Sequence, residues 1–146
     1  MLLVKYPQNN FKIKTENNRE YIFDEVRLKW VALTPEEWVR QNFLQYLLHE
    51  KKYPKALCAV EKMIKLGELK KRCDIVVYKN SLPWMIIECK EMSTILNTIV
   101  IEQILRYHMA LPAEYLIITN GNLSFGYQVL NNSVIELHEL PEYNFF

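Results

Sequence analysis

The chain has 146 residues, 50% hydrophobic and 24% charged, with a formal net charge of +1. That length suits one domain, 1–146, able to bury a real core, and no apolar run approaches the ~20 residues a membrane span needs. A near-neutral balance also gives no chain-wide attraction to nucleic acid, which rests on clustered Lys and Arg against phosphates, although Lys12/Lys14, Lys51-Lys52 and Lys70-Lys71-Arg72 are local basic clusters. Met1 to Lys14 lacks the apolar stretch and cleavage site of a signal peptide, so the expected location is cytoplasmic. Cys58, Cys73 and Cys89 are odd in number and contain no Cys-x-x-Cys pair. This argues against a disulfide framework or a zinc site and leaves them as small buried hydrophobes.

Residues 1–33 read as extended, with strands near Tyr21–Asp24 and Val26–Leu33. Thr34-Pro35-Glu36-Glu37 then combines a capping residue, proline at the first helical position and Glu at the third. Val39, Phe43, Tyr46 and Leu47 follow at helical spacing, and the helix should end near Lys51-Lys52, before Pro54. Strand-like runs come next at Leu57–Leu66, Cys73–Tyr78 and Trp84–Lys90, the last two joined by a loop of hairpin composition. A second helix is expected over Ser93 to Met109, stopping before Pro112. Tyr115–Thr119 reads as a buried strand before an Asn120-Gly121 turn, and Leu123–Leu130 with Val134–Glu139 as a hairpin across Asn131-Asn132. Few glycines, no linker and no repeat accompany this order. It predicts an α/β fold, a central mixed β-sheet flanked by helices.

Chemistry concentrates on the two central strands. Side chains alternate faces along a strand, so Glu88 and Lys90 share a face. Pairing Cys73–Tyr78 with Trp84–Lys90 as a hairpin sets Asp74, at the start of one, opposite the end of the other. Two carboxylates at the end of an apolar strand are costly to bury unpaired and should drive their pKa values apart. A lysine lowers that cost, and a divalent cation would lower it further. Two acidic oxygens plus water suit Mg²⁺. The residues alone leave two readings open, a metal site or a structural ion pair of Asp74 or Glu88 with Lys90 or Arg72.

The segments LTPEEWVRQ, RCDIVVY, ECK, EQILRYH and YLIITNG, in this order, resemble the N-terminal nuclease domain of type I restriction enzyme R (motor) subunits, in a short stand-alone form. The likeness spans about Phe23 to Tyr143. It implies the restriction-endonuclease-like fold of the PD-(D/E)xK superfamily and magnesium-dependent hydrolysis of DNA phosphodiesters, with Mn²⁺ as a substitute. By this resemblance Asp74 and Glu88 are metal ligands and Lys90 the catalytic lysine. The superfamily's helix acid is Glu36 or Glu37. Glu36 lies within the arc of Val39, Phe43 and Leu47 at ~100° per residue and four residues before Arg40, as in many relatives. It is therefore assigned to the site, and Glu37 to the cap, accepting from the Thr34 N–H. Gln103 and Tyr107, four apart, match a Gln-x-x-x-Tyr motif whose glutamine reaches the active site and whose tyrosine positions it or the nucleic acid.

Three positions depart from the family pattern. Glu91-Met92 stands where many relatives have Ala-Pro, and His108 where many have Asn. His108 reads as a helix C-terminal histidine in preference to a catalytic base, and Glu61 could face Arg72 or the site, the structural pairing with Arg72 being preferred. No Gly-x-x-x-x-Gly-Lys-Thr loop is present, so the chain is no complete motor subunit. The expected partners are DNA and either a second copy or a specificity or motor partner. A competing expectation is a nucleic-acid-binding or assembly module with the same fold and little turnover.

Overall fold

A computed structural model of the protein describes residues 1–131 and 133–144. Strands β1 (Ile13–Glu16), β2 (Arg19–Asp24) and β3 (Lys29–Ala32) form a small antiparallel sheet. Helix α1 (Pro35–Gln45) runs into a π-helical turn, Tyr46–Glu50, and a short 3₁₀ turn, Lys55–Leu57, precedes the main sheet. Strands β4 (Cys58–Leu66), β5 (Leu69–Lys79) and β6 (Leu82–Cys89), helix α2 (Thr98–His108), and strands β7 (Tyr115–Thr119), β8 (Ser124–Leu130) and β9 (Ser133–Leu137) complete the described elements. The main sheet has the order β4-β5-β6-β7-β8-β9. Only its β6–β7 pair is parallel, as a connection through α2 requires.

Both faces of the central strands are covered, which is why Ile75, Val76 and Val77 of β5 and Trp84, Met85, Ile86 and Ile87 of β6 read as unbroken apolar runs. On one face, Ile75, Val77, Met85, Ile87 and Ile117 pack with Val39, Phe43, Leu44 and Leu47 of α1 and its extension. On the other, Val76, Ile86, Leu116 and Ile118 pack with Leu96 and Ile101 beneath α2. This is the expected α/β arrangement of a mixed central sheet between helices.

Several boundaries differ from expectation for local reasons. The strand expected from Val26 begins only at Lys29, because Asp24 Oδ1 accepts from the Val26 and Arg27 N–H groups at 2.7 and 2.8 Å and turns the chain there. Helix α2 begins at Thr98 instead of Ser93, since the Asn97 side chain caps it, accepting from Val100 N at 3.0 Å. Strand β5 starts at Leu69, four residues before the expected Cys73, so β4 and β5 form one long hairpin around Gly67, whose φ of 61° suits glycine. The expected turn at Asn131-Asn132 includes Asn132, which lies outside the described residues. All three cysteines are free and buried, and burial pushes the Cys58 and Cys73 thiols up to about 12.

Candidate active site

The hydrogen-bonded pairing of β5 with β6 begins at Ile75↔Ile87. Asp74 and Glu88 stand just past it, where the two strands part. On the neighbouring strand β4, Glu61 takes a left-handed φ of 54°, a conformation that costs a non-glycine residue ~1 kcal/mol or more. Asp74 turns its side chain into the gap, and its Oδ2 accepts from the Cys89 backbone N–H at 2.8 Å. Glu88, the next cross-strand position, is buried, with His108 of α2 beside it, and lies near enough for its charge to act on Asp74. Lys90 N donates to Thr119 O at 2.8 Å, extending the parallel β6–β7 alignment by one residue and fixing where Lys90 leaves the sheet. The site therefore lies at the carboxyl ends of adjacent parallel strands, a common place for ligand sites in α/β sheets.

The electrostatics separate the two carboxylates. Burial, then the nearby Glu88 charge, raises the Asp74 pKa above its ordinary value, against hydrogen bonds from Arg40 and the Cys89 N–H. Burial works the same way on Glu88, but His108, Lys71 and Lys90 outweigh it and leave Glu88 below the usual carboxylate value. Lys90 Nζ stands 3.4 Å from Glu88 Oε1, and His108 Nε2 stands 3.5 Å from Glu88 Oε2. The His108 contact is long for a hydrogen bond and acts as a proximity of charge and dipole. Glu88 Oε2 is buried with no hydrogen-bond partner, as is His108 Nδ1. Unsatisfied buried carboxylate oxygens are uncommon because they forfeit hydration without replacement.

Arg40 is the main cation of the cluster. Its Nη2 donates to Asp74 Oδ1 at 2.7 Å and Glu61 Oε1 at 2.6 Å, and its Nη1 to Glu37 Oε1 at 2.7 Å. Glu36 lies 3.3 Å from the same Nη2. Behind it, Glu37 also accepts from Arg27 at 2.9 Å and Gln41 at 3.2 Å, and Arg27 and Gln41 both bind Asp24.

The two helix acids differ from expectation. Thr34 caps α1, its hydroxyl accepting from Glu37 N at 3.0 Å, but the Thr34 N–H donates to Ala32 O and not to Glu37. The Glu37 carboxylate turns inward because three side-chain donors offset its burial better than one exposed backbone N–H. Glu36 does not pack against the sheet. Its side chain is 48% exposed, yet burial and the charge of Asp74 raise its pKa, with Arg40 and Lys90 opposing and Glu88 adding a smaller upward push. It stands at the mouth of the cluster, and Glu37 in the ion network beneath.

On α2, Gln103 is exposed and Tyr107 is 58% exposed. Tyr107 lies beside the site, with Lys71 Nζ 4.2 Å above its ring and the His108 ring 5.7 Å away. The α2 residue turned toward Glu88 is His108, buried at the helix end. Its spacing from Ile101 and Leu105 puts it on the apolar stripe of the helix, a signal for burial that its position at the C-terminus obscured. Arg40 was readable only as a companion of Glu36. Its four carboxylate neighbours come from two strands and a helix, and sequence spacing does not bring those together. Glu61 does meet Arg72, at 3.4 Å, while its other oxygen joins Arg40.

The donor set can be tested for a hard divalent cation. Among the described residues, no three His, Cys, Asp or Glu side chains converge into a ready-made ligand cage. Two electrostatically linked carboxylates, one with an orphaned buried oxygen, nevertheless match the few protein ligands Mg²⁺ takes while keeping several waters. Arg40 and Cys89 N each use one lone pair of Asp74, and an ionised carboxylate has about four acceptor sites. The residues fit such an ion.

The mixed α/β fold is consistent with a nuclease-like domain, and a cluster of two carboxylates and a lysine stands at the end of its central strands. The profile of the type I restriction enzyme R protein N terminus matches residues 35–141. The chain belongs to that family and is a restriction-related domain. The match begins with α1, so the β1–β3 sheet lies outside it. No curated protein and no solved structure was found to be similar. Among the described residues, no helix is long and apolar enough to cross a membrane.

Proposed function

We propose that this chain is a magnesium-dependent nuclease of the PD-(D/E)xK type, hydrolysing DNA phosphodiester bonds, with Mn²⁺ able to replace Mg²⁺. The observation that carries this reading is the Asp74–Glu88–Lys90 group: two buried carboxylates with separated pKa values, one holding an unpartnered oxygen, beside a lysine that is 35% exposed. Asp74 and Glu88 would hold the ion. When bound, it supplies positive charge to the scissile phosphate and lowers the pKa of a water. Lys90 is close enough to Glu88 to share the site and open enough to meet a phosphate, where it stabilises the negative charge that builds up during attack. Glu36, at the mouth with a raised pKa, is suited to take a proton. Arg40 orients Asp74 through the 2.7 Å bond to Oδ1, and His108, 3.5 Å from Glu88 Oε2, lends that carboxylate a favourable charge or dipole. Tyr107 and Gln103, on the exposed face of α2, would meet nucleic acid. DNA is the partner this reading requires, with other subunits of a restriction system or a second copy supplying specificity or the second cut.

A second reading, a binding or assembly module, is favoured by one feature. Both Asp74 oxygens already carry strong donors, and Arg40 supplies a local cation. Nicking of supercoiled plasmid in Mg²⁺ or Mn²⁺, beside metal-binding calorimetry, separates the two. Metal-dependent nicking lost in Asp74→Asn and Lys90→Ala supports the nuclease. Metal binding without cutting by the wild type supports the module.

A further inference from the structure

We propose that the outer face of the β4–β5 hairpin is a grip for the phosphate backbone of duplex DNA, leading the duplex to the Asp74–Glu88 site; this rests on the nuclease reading for its substrate. Past Cys73 the hairpin extends as a two-stranded ribbon, because β6 pairs with β5 only from Ile75. Its register sets Met63 opposite Arg72 and Lys65 opposite Lys70 on one face. The other face carries Ile64 opposite Lys71 and Leu66 opposite Leu69. Ile64 is buried and Leu69 packs against it in the core beneath α2, while Lys71 covers Tyr107. The first face is thus turned away from the core, and Met63, Lys65, Lys70 and Arg72 are all exposed.

The charge on that ribbon is concentrated. Residues 62–72 hold five basic side chains and one acid, a local charge of +4, whereas the whole chain carries +1 and the remainder therefore −3. Like charges directly opposite on neighbouring strands destabilise a hairpin, and Lys65 faces Lys70 in that way. Among the described residues neither lysine forms an ion pair, and the one acid near Arg72, Glu61, is already held by Arg40 at 2.6 Å. A polyanion offsets this repulsion where the protein does not.

Shape points to duplex DNA. Four paired residues per strand at ~3.4 Å each make a ribbon about 14 Å long, and a two-stranded ribbon fits a major groove ~12 Å wide. The exposed face has no aromatic ring on which unpaired bases would stack, the usual platform for single strands. Arg72 is two residues from Asp74 on the same strand, so a backbone lying on this face runs into the site.

The test is binding of a fluorescent DNA duplex to the full chain, followed by anisotropy in EDTA, where cleavage plays no part, over a series of salt concentrations. Three neutralised phosphates contribute about 0.9 each to the slope of log affinity against log salt, so Lys65→Gln/Lys70→Gln/Arg72→Gln should flatten it by about 2.7 and lose roughly 10²-fold in affinity at ~0.1 M salt. Its melting temperature should hold or rise as cross-strand repulsion is relieved, which separates lost binding from lost folding. The matched variant Lys12→Gln/Lys14→Gln/Lys29→Gln removes the same charge from the small sheet and should leave the slope unchanged. Equal loss in both variants, an unchanged slope in the hairpin variant, equal affinity for single strands, or no duplex binding by the wild type each overturns the proposal. Plasmid nicking is scored separately. A hairpin-dependent slope without nicking keeps the grip and sinks the nuclease reading, and nicking with an unchanged slope does the reverse.

Discussion

Arg40→Met removes the guanidinium and keeps much of the side chain's volume. In the wild type that group lies 7% exposed and touches four carboxylates, Asp74, Glu61 and Glu37 at 2.6–2.7 Å and Glu36 at 3.3 Å. Glu37 keeps Arg27 and Gln41, Glu61 keeps Arg72, and Glu36 is half exposed. Asp74 is the one left buried with a single donor, the Cys89 N–H. Breaking a buried ion pair from one side costs about 3–5 kcal/mol, and most of that should fall on Asp74. Urea unfolding in EDTA at neutral pH should therefore show a loss in this range. The loss should shrink on acidification. The Asp74 pKa is already raised, and the variant raises it further, so the penalty is full above the folded pKa, shrinks as the pH falls from there, and is gone only below the ordinary aspartate value, where the unfolded chain is protonated as well. A divalent ion should restore part of the stability, because a ligand at 100 times its Kd stabilises by about 2.7 kcal/mol, and it should help the variant more than the wild type. A loss below ~1 kcal/mol that does not vary with pH would refute Arg40 as the counter-charge of the cluster.

Three further outcomes are expected. Lys90→Ala should lower nicking on the order of 10²–10³-fold while calorimetric Mn²⁺ affinity stays level or rises, since a competing positive charge has gone; cleavage at the wild-type rate removes Lys90 from the chemistry. Mn²⁺ affinity should climb with pH through the raised pKa of Asp74, because the ion displaces a proton held more tightly than in an ordinary aspartate; Asp74→Asn should abolish that dependence, and a flat wild-type titration above pH 4 argues against Asp74 as a ligand. Asp24→Ala strips a fully buried carboxylate from the Val26 and Arg27 N–H groups and from the Arg27 and Gln41 side chains, and denaturant unfolding should register roughly 3–5 kcal/mol, with a value under ~1 kcal/mol excluding the network as a support of α1.

Local chemistry made much of this protein legible in its sequence. Thr34-Pro35 starts a helix by capping one backbone N–H and by lacking another, so α1 begins where it was expected. YLIIT reads as a strand covered on both faces, and β7 is one. Asp74, Glu88 and Lys90 could be grouped because strand alternation and one hairpin are short-range rules. Asn97 was passed over as a cap because apolar residues continue on both sides of it, and the start of β5 was missed because the Lys70-Lys71-Arg72 run has no apolar alternation. The ion network was beyond reach for a different reason. Whether Glu37 caps its own helix or turns inward depends on Arg27 and Arg40 arriving from a turn and the next helical turn, and those positions are set by packing. His108 meets Glu88 only because α2 crosses the sheet at the level where β6 ends. The sequence by itself determined the elements, their apolar faces and the identity of the charged groups. Tertiary structure alone decided which charges share a buried space, because the energy of a charge depends on burial and on neighbours a few ångströms away, which spacing along the chain does not encode.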